Sequence, residues 1–190
     1  VHRIPIVDDQ GKVIFILSQM ALFRHFFLNN PHYYEAIKQK TVKELGLGHF
    51  DENTQPFAVN EDDLAIDAFK QITDNAVSAV GITDKNGKKL IGVLSASDLQ
   101  GFLGEEMHLL GSPVLQFKQY AKKKLQEVSN DADHYSTLDP VIFCKGYDTL
   151  ESVVSRFASS HVHRIFVMDD EMQMIGVISL TDLFKLLQTN

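Results

Sequence analysis

With 190 residues, of which 44% are hydrophobic and 23% charged, the chain can bury one or two ordinary cores. A net charge of −7 excludes general nucleic-acid binding, which needs a basic face to displace counterions. The absence of an apolar run near ~18 residues excludes a helical membrane span. The single cysteine, Cys144, can form no internal disulfide, and with no secretory signal the expected setting is intracellular.

The chain opens in mid-motif without an initiator Met, and so reads as part of something longer. Residues 1–29 predict an apolar strand, a turn at Asp9-Gln10-Gly11-Lys12, a second strand ending at Ser18, and a helix over about Met20–Leu28. Leu22, Phe23, Phe26 and Phe27 on that helix need an apolar partner, and Asn29-Asn30-Pro31 ends it. Residues 30–48 form a connector, with a short helix expected over Thr41–Leu45 before Gly46 and Gly48.

In residues 49–104, Phe57-Ala58-Val59 reads as a strand, and Leu64, Ala68 and Ile72 as a helix face. Two further strands flank Lys85-Asn86-Gly87-Lys88, where Asn-Gly is a strong hairpin signal because the turn needs positive φ. A second connector, 105–138, carries a helix over Val114–Val128 and a polar, turn-like stretch from Ser129 to Thr137. Its Lys122-Lys123-Lys124 run reads as a solvated helix face in preference to a phosphate patch. Residues 139–190 repeat the earlier order: strand Val141–Cys144, a helix carrying Leu150, Val153, Val154, Phe157 and Ala158, then a hairpin turning at Asp169–Met172. A last helix presents Leu183, Leu186 and Leu187.

The hairpin is therefore written three times, beginning at Val1, Val77 and Val162 and closing at Ser18, Ser95 and Ser179. A repeat this regular sets the architecture: α/β, with two complete β-α-β-β-α units preceded by the downstream half of a third. This pattern resembles the CBS domain, which pairs in tandem as the Bateman module. His2-Arg3 and His163-Arg164, with Ser78 to Val80 between them, are similar to the γ subunits of AMP-activated protein kinase along essentially the whole chain.

The strings Ser95-x-x-Asp98 and Ser179-x-x-Asp182 admit two compatible readings. As helix caps, serine and acid satisfy free amides at the positive end of the helix. As a binding site, the carboxylate can accept hydrogen bonds from a ribose diol, which is the use the resemblance implies. The first copy reads Ser18-Gln-Met-Ala21, and with Ala in place of the acid it can hold no diol. The His-Arg pairs admit surface ion pairing, with Asp169 for example, or phosphate binding, for which arginine's planar fork is suited. The resemblance implies phosphate, although Met20 stands where that family carries a basic residue.

No metalloprotease, CxxC, P-loop or nucleophile-elbow string occurs, and Gly46–Gly48 lacks the remaining glycine of a dinucleotide loop. His108, His134 and His161 read as connector residues, so no enzyme is expected. The resemblance implies a regulatory module binding AMP, ADP or ATP as ligand, with no cofactor, metal, nucleic acid or membrane partner. It implies kinase catalytic and scaffold subunits as partners, or self-association through CBS pairs, in the cytoplasm or nucleus. Two sites are expected in a cleft between the complete units. One is built on Ser95, Asp98, His49, Val77 and Ser78; the other on Ser179, Thr181, Asp182, Thr137, Val141 and Val162. His2, Arg3, His163 and Arg164 are the expected phosphate ligands. The alternative is a CBS scaffold or inhibitor of a non-kinase partner with degenerate nucleotide sites.

Overall fold

All three hairpins form in the computed structural model, which describes residues 3–48, 57–100, 102, 104–129, 141–160 and 162–188. The first joins β1 (Arg3–Val7) to β2 (Val13–Ser18) and runs into α1 (Gln19–Phe23), which continues as a π-helical stretch, Arg24–Asn29. Next come β3 (Ala58–Asn60), α2 (Ala65–Asp74), β4 (Ala79–Thr83), β5 (Leu90–Ser95) and α3 (Val114–Ser129). The chain closes with β6 (Phe143–Lys145), α4 (Leu150–Ser160), β7 (Arg164–Met168), β8 (Met174–Ser179) and α5 (Leu180–Gln188).

Each hairpin turn is fixed by an aspartate at its entrance, one residue ahead of the expected turn in the first two copies and its first residue in the third. Asp8 Oδ1 accepts from the amides of Gln10 (3.0 Å) and Lys12 (2.9 Å). Asp84 Oδ1 accepts from Lys88 and Lys89, and Asp169 Oδ1 from Glu171 and Gln173. The turn then needs a left-handed residue, supplied by Gly11 (φ 79°), Gly87 (φ 68°) and, in the third copy, Met172 (φ 61°).

The described residues divide into two compact units. One comprises Asn53–Val141 with Asp169–Met174. Its sheet has the order β3-β4-β5, with β3 parallel and β5 antiparallel to β4. Ala65, Ala68, Phe69 and Ile72 recur at helical spacing on α2 and are buried with Val80, Ile82 and Leu94. α3 adds Val114, Phe117 and Ala121; the Phe117 ring meets Phe69 edge-on at 5.5 Å and stacks on Phe102 at 4.9 Å. The apolar pattern after Ser95 gives no α-helix here but two 3₁₀ segments, Ala96–Leu99 and Gly104–Gly111. Gly101 and Gly104 in the sequence weaken helix propensity at that point, while the first and third copies of the motif lack glycine there.

The other unit comprises Val1–Glu52, Ile142–Met168 and Ile175–Asn190. Its three-stranded sheet has the order β6-β7-β8, with β6 parallel to β7. Leu150, Val153, Val154 and Phe157 of α4 pack with Ile165, Val167, Ile178, Leu180 and Leu183. The aromatics of the leading half-repeat find their partner in this core: Phe23 lies 5.4 Å from Phe27 and 5.9 Å from Phe157, ring centre to ring centre. The expected helix over Thr41–Leu45 is a run of hydrogen-bonded turns instead. Val42 and Lys43 donate to the carbonyls of Asp148 and Gly146 (both 2.9 Å), and Gly46 turns left-handed (φ 61°), so the segment follows the neighbouring loop. The β1–β2 hairpin forms a two-stranded sheet whose Ile14 and Ile16 are 61% and 56% exposed.

Candidate functional site

The serine that closes each hairpin also opens the next turn of helix. Ser18 Oγ accepts from the Ala21 amide at 3.1 Å, a plain cap with no acid. At the second start, Asp98 Oδ2 accepts from the Ser95 amide (2.7 Å) and the Ser95 hydroxyl (3.2 Å). At the third, Asp182 Oδ2 accepts from the Ser179 amide (2.9 Å) and hydroxyl (2.7 Å). The capping interaction is thus present in both, but it occupies one carboxylate oxygen and leaves the other to be used differently. Asp98 Oδ1 meets Lys118 Nζ of α3 at 2.7 Å, whereas Asp182 Oδ1 has Lys185 Nζ at 3.6 Å.

The residues that open each hairpin are held against the same helix starts. The Leu180 amide donates to the His163 carbonyl (3.3 Å), as the Ala96 amide donates to the Ser78 carbonyl (3.1 Å). Arg3 stands opposite Ser18 in the β1–β2 register, and Ala79 opposite Ser95 in β4–β5. Arg3 and His163 are exposed and Arg164 is half-buried. Burial pulls the Arg164 guanidinium below the usual arginine range, since desolvation disfavours the charged form. Gln19 Nε2 of α1 donates to the exposed Thr181 hydroxyl of α5 at 3.4 Å, joining the first and third helix starts.

One unit therefore brings together Arg3, Val162, His163, Arg164, Ser179, Thr181 and Asp182; the other holds Val77, Ser78, Ser95, Asp98 and the half-buried Val141. Val77 and Val162 pack against the cores of their own units. His2, His49 and Thr137, like the connector residues His134 and His161, lie outside the described residues. Among the described residues no group of three His, Cys, Asp or Glu could hold a metal ion, and no helix is long and apolar enough to cross a membrane.

The profile described as CBS domain matches residues 47–105 and 134–189. The chain belongs to the CBS-domain family. Its repeats are similar to those of kinase γ subunits: it is 27% identical over 192 residues to 5'-AMP-activated protein kinase subunit gamma-3 of Bos taurus, covering 98% of this chain and 35% of that protein. It is 28% identical over 154 residues to an SNF1-related protein kinase regulatory subunit gamma-1-like protein of Arabidopsis thaliana, covering 80% and 33%. The chain thus spans about a third of the length of these relatives. Among solved structures, protein MJ1225 of Methanocaldococcus jannaschii, a candidate archaeal homologue of the γ subunit, superposes with a TM-score of 0.66 at 15% identity. That match covers 98% of this chain and 59% of the other, and it is a likeness of fold.

Two residues that contact the second and third helix starts, Gln19 through Thr181 and Lys118 through Asp98, have no sequence expectation attached to them. Gln19 gave no signal, being one polar residue after a serine. Lys118 did: Val114, Phe117, Lys118 and Ala121 recur at i, i+3, i+4 and i+7, placing a lysine on the apolar stripe of α3. The Lys122-Lys123-Lys124 run is not uniformly solvated, because Lys124 pairs with Glu106 and lies over the Phe102 ring at 5.1 Å.

Proposed function

We propose that this chain is a regulatory adenine-nucleotide-binding module that reports nucleotide levels to a kinase complex. The observation that carries it is the third helix start. There Asp182 keeps one oxygen turned away from the Ser179 cap, on the same helix terminus that bears the His163 carbonyl and precedes the half-buried Arg164. A carboxylate oxygen of that kind accepts from a ribose diol, and the planar fork of a guanidinium suits phosphate oxygens. Apolar side chains such as Val162 would flank the adenine. The names of the γ-subunit relatives supply the kinase partner and the AMP signal.

Occupancy can regulate a partner only through a difference in ligand affinity between two arrangements of the module. The test is thermal unfolding with AMP, ADP, ATP or adenosine against buffer. Stabilisation by about 2.7 kcal/mol is expected at a nucleotide concentration a hundredfold above Kd. An unchanged melt with all four ligands would favour the scaffold reading, in which the chain engages a partner without nucleotide.

A further inference from the structure

We propose that Lys118 decides which carboxylate can bind ribose: it closes the Asp98 position and leaves Asp182 as the open one. This deepens, and rests on, the nucleotide-binding reading.

The two aspartates begin alike. Each commits Oδ2 to the amide and hydroxyl of the serine three residues before it. The diol's two hydroxyls must therefore be accepted at Oδ1, whose two lone pairs are the remaining capacity of the carboxylate. At Asp98 that oxygen takes the Lys118 ammonium at 2.7 Å, and both side chains are 9% exposed. Removing Lys118 from this position leaves a charge buried without its partner, so the ion pair resists displacement by a neutral hydroxyl. At Asp182 the cation is Lys185, one turn along the same helix, 3.6 Å away and 68% exposed, while the Asp182 side chain is 19% exposed. An i,i+3 pair of that length with an exposed lysine is weak, and Lys185 can swing into water, where its own charge stays hydrated.

Lys118 reaches Asp98 because α3 lays its apolar stripe on the β3-β4-β5 unit, with Val114, Phe117 and Ala121 buried on either side. The stripe carries the lysine inward, and Asp98 is the acid that it meets. The three helix starts are thus graded: no acid at Ala21, a closed acid at Asp98 and an open one at Asp182.

Calorimetric titration of the whole chain with AMP tests this, using Asp182→Asn, Lys118→Met and the neutral double variant Asp98→Asn/Lys118→Met, each checked by circular dichroism and melting. The wild type should bind one equivalent. Asp182→Asn should lose at least tenfold in affinity, the double variant should stay within twofold of wild type, and Lys118→Met should gain a second equivalent. If Lys118→Met does not fold, the double variant decides, because a loss of AMP affinity there overturns the proposal. A wild type that binds two equivalents, one of them lost in the double variant, overturns the gate and keeps the nucleotide reading. A wild type that binds no AMP while Lys118→Met binds one equivalent overturns both the open role of Asp182 and the sensing function, and keeps only the closure of Asp98 by Lys118. No binding by either removes both.

Discussion

Gly176 of β8 lies against the backbone of Gly48 so closely that a Cβ built on Gly176 would overlap the Gly48 carbonyl oxygen. The obstacle is main chain, which has no rotamer by which to yield. Gly48 is itself left-handed (φ 87°) and abuts the Val167 side chain, so it cannot withdraw cheaply.

Gly176→Ala is therefore expected to destabilise the β6-β7-β8 unit by about 1–3 kcal/mol, the usual range for overpacking. Gly104→Ala is the control, since a Cβ there meets nothing within 4 Å. Thermal melts of the two variants should separate by several degrees; equal melting temperatures would show that the Gly48 segment is free to move.

The repeat was legible in the sequence because its parts are local. Asn86-Gly87, the Asp-x-x-Gly turns and the apolar faces of α2 and α4 depend on near neighbours, and all appear where the pattern puts them. The caps at Ser95 and Ser179 were legible for the same reason. What could not be read were choices settled by distant partners. Thr41–Leu45 has a helix-like start, with Thr41 and Glu44 bonded to each other, yet it follows the Asp148 and Gly146 carbonyls. Gly48 was read as a helix stop, while its tight fit is against Gly176, far along the chain. The inequality of Asp98 and Asp182 depends on α3, which no local motif at either serine reveals.

Cys144 is fully buried in β6, and burial pushes its thiol up to about 12. A thiol-reactive probe at pH 8 meets almost no thiolate and has no access to sulfur. Labelling in native buffer should be slow and should accelerate with denaturant in step with loss of the circular dichroism signal. Rapid labelling of the native protein would place Cys144 in a segment that opens locally.

The Asp84 carboxyl is held below its usual range by the amide hydrogen bonds of Lys89 and Lys88, with smaller contributions from Asn86. Because the folded pKa is depressed, its stabilising contribution is present above the unfolded pKa and is lost as pH falls through the folded value. Asp84→Ala should melt lower than wild type at pH 7, and the gap should narrow as pH drops below the carboxylate range. A gap independent of pH would mean that the turn depends on side-chain shape and not on charge.

If Asp182 reads the ribose, 2′-deoxy-AMP should bind more weakly than AMP, and Asp182→Ala should remove that discrimination. Loss of the charge-assisted hydrogen bonds should cost about 1.5–3 kcal/mol in AMP affinity. Should Asp182 act as a cap alone, its replacement would lower the melting temperature while both nucleotides kept wild-type affinity. Titration beside a melt separates these outcomes.

Arg164 distinguishes a nucleotide sensor from a pocket that merely fits adenosine. Carboxylates such as Asp182 repel phosphate, and a chain of net charge −7 needs a local cation if nucleotides are to be preferred. Arg164 opens β7 beside His163, whose carbonyl caps α5, and it is the arginine whose guanidinium desolvation has already pulled down. A desolvated cation is poorly screened, so an incoming phosphate gains more from it than from an exposed lysine. Arg164→Gln keeps much of the side-chain length and removes both charge and fork. AMP affinity should fall by about tenfold, equivalent to one charge-assisted contact, while adenosine affinity stays nearly constant. The dependence of AMP binding on salt should flatten as well, because the ionic contact that salt screens is gone. If AMP and adenosine weaken equally and the salt dependence is unchanged, Arg164 serves the fold of β7, and phosphate recognition must be sought elsewhere in the chain.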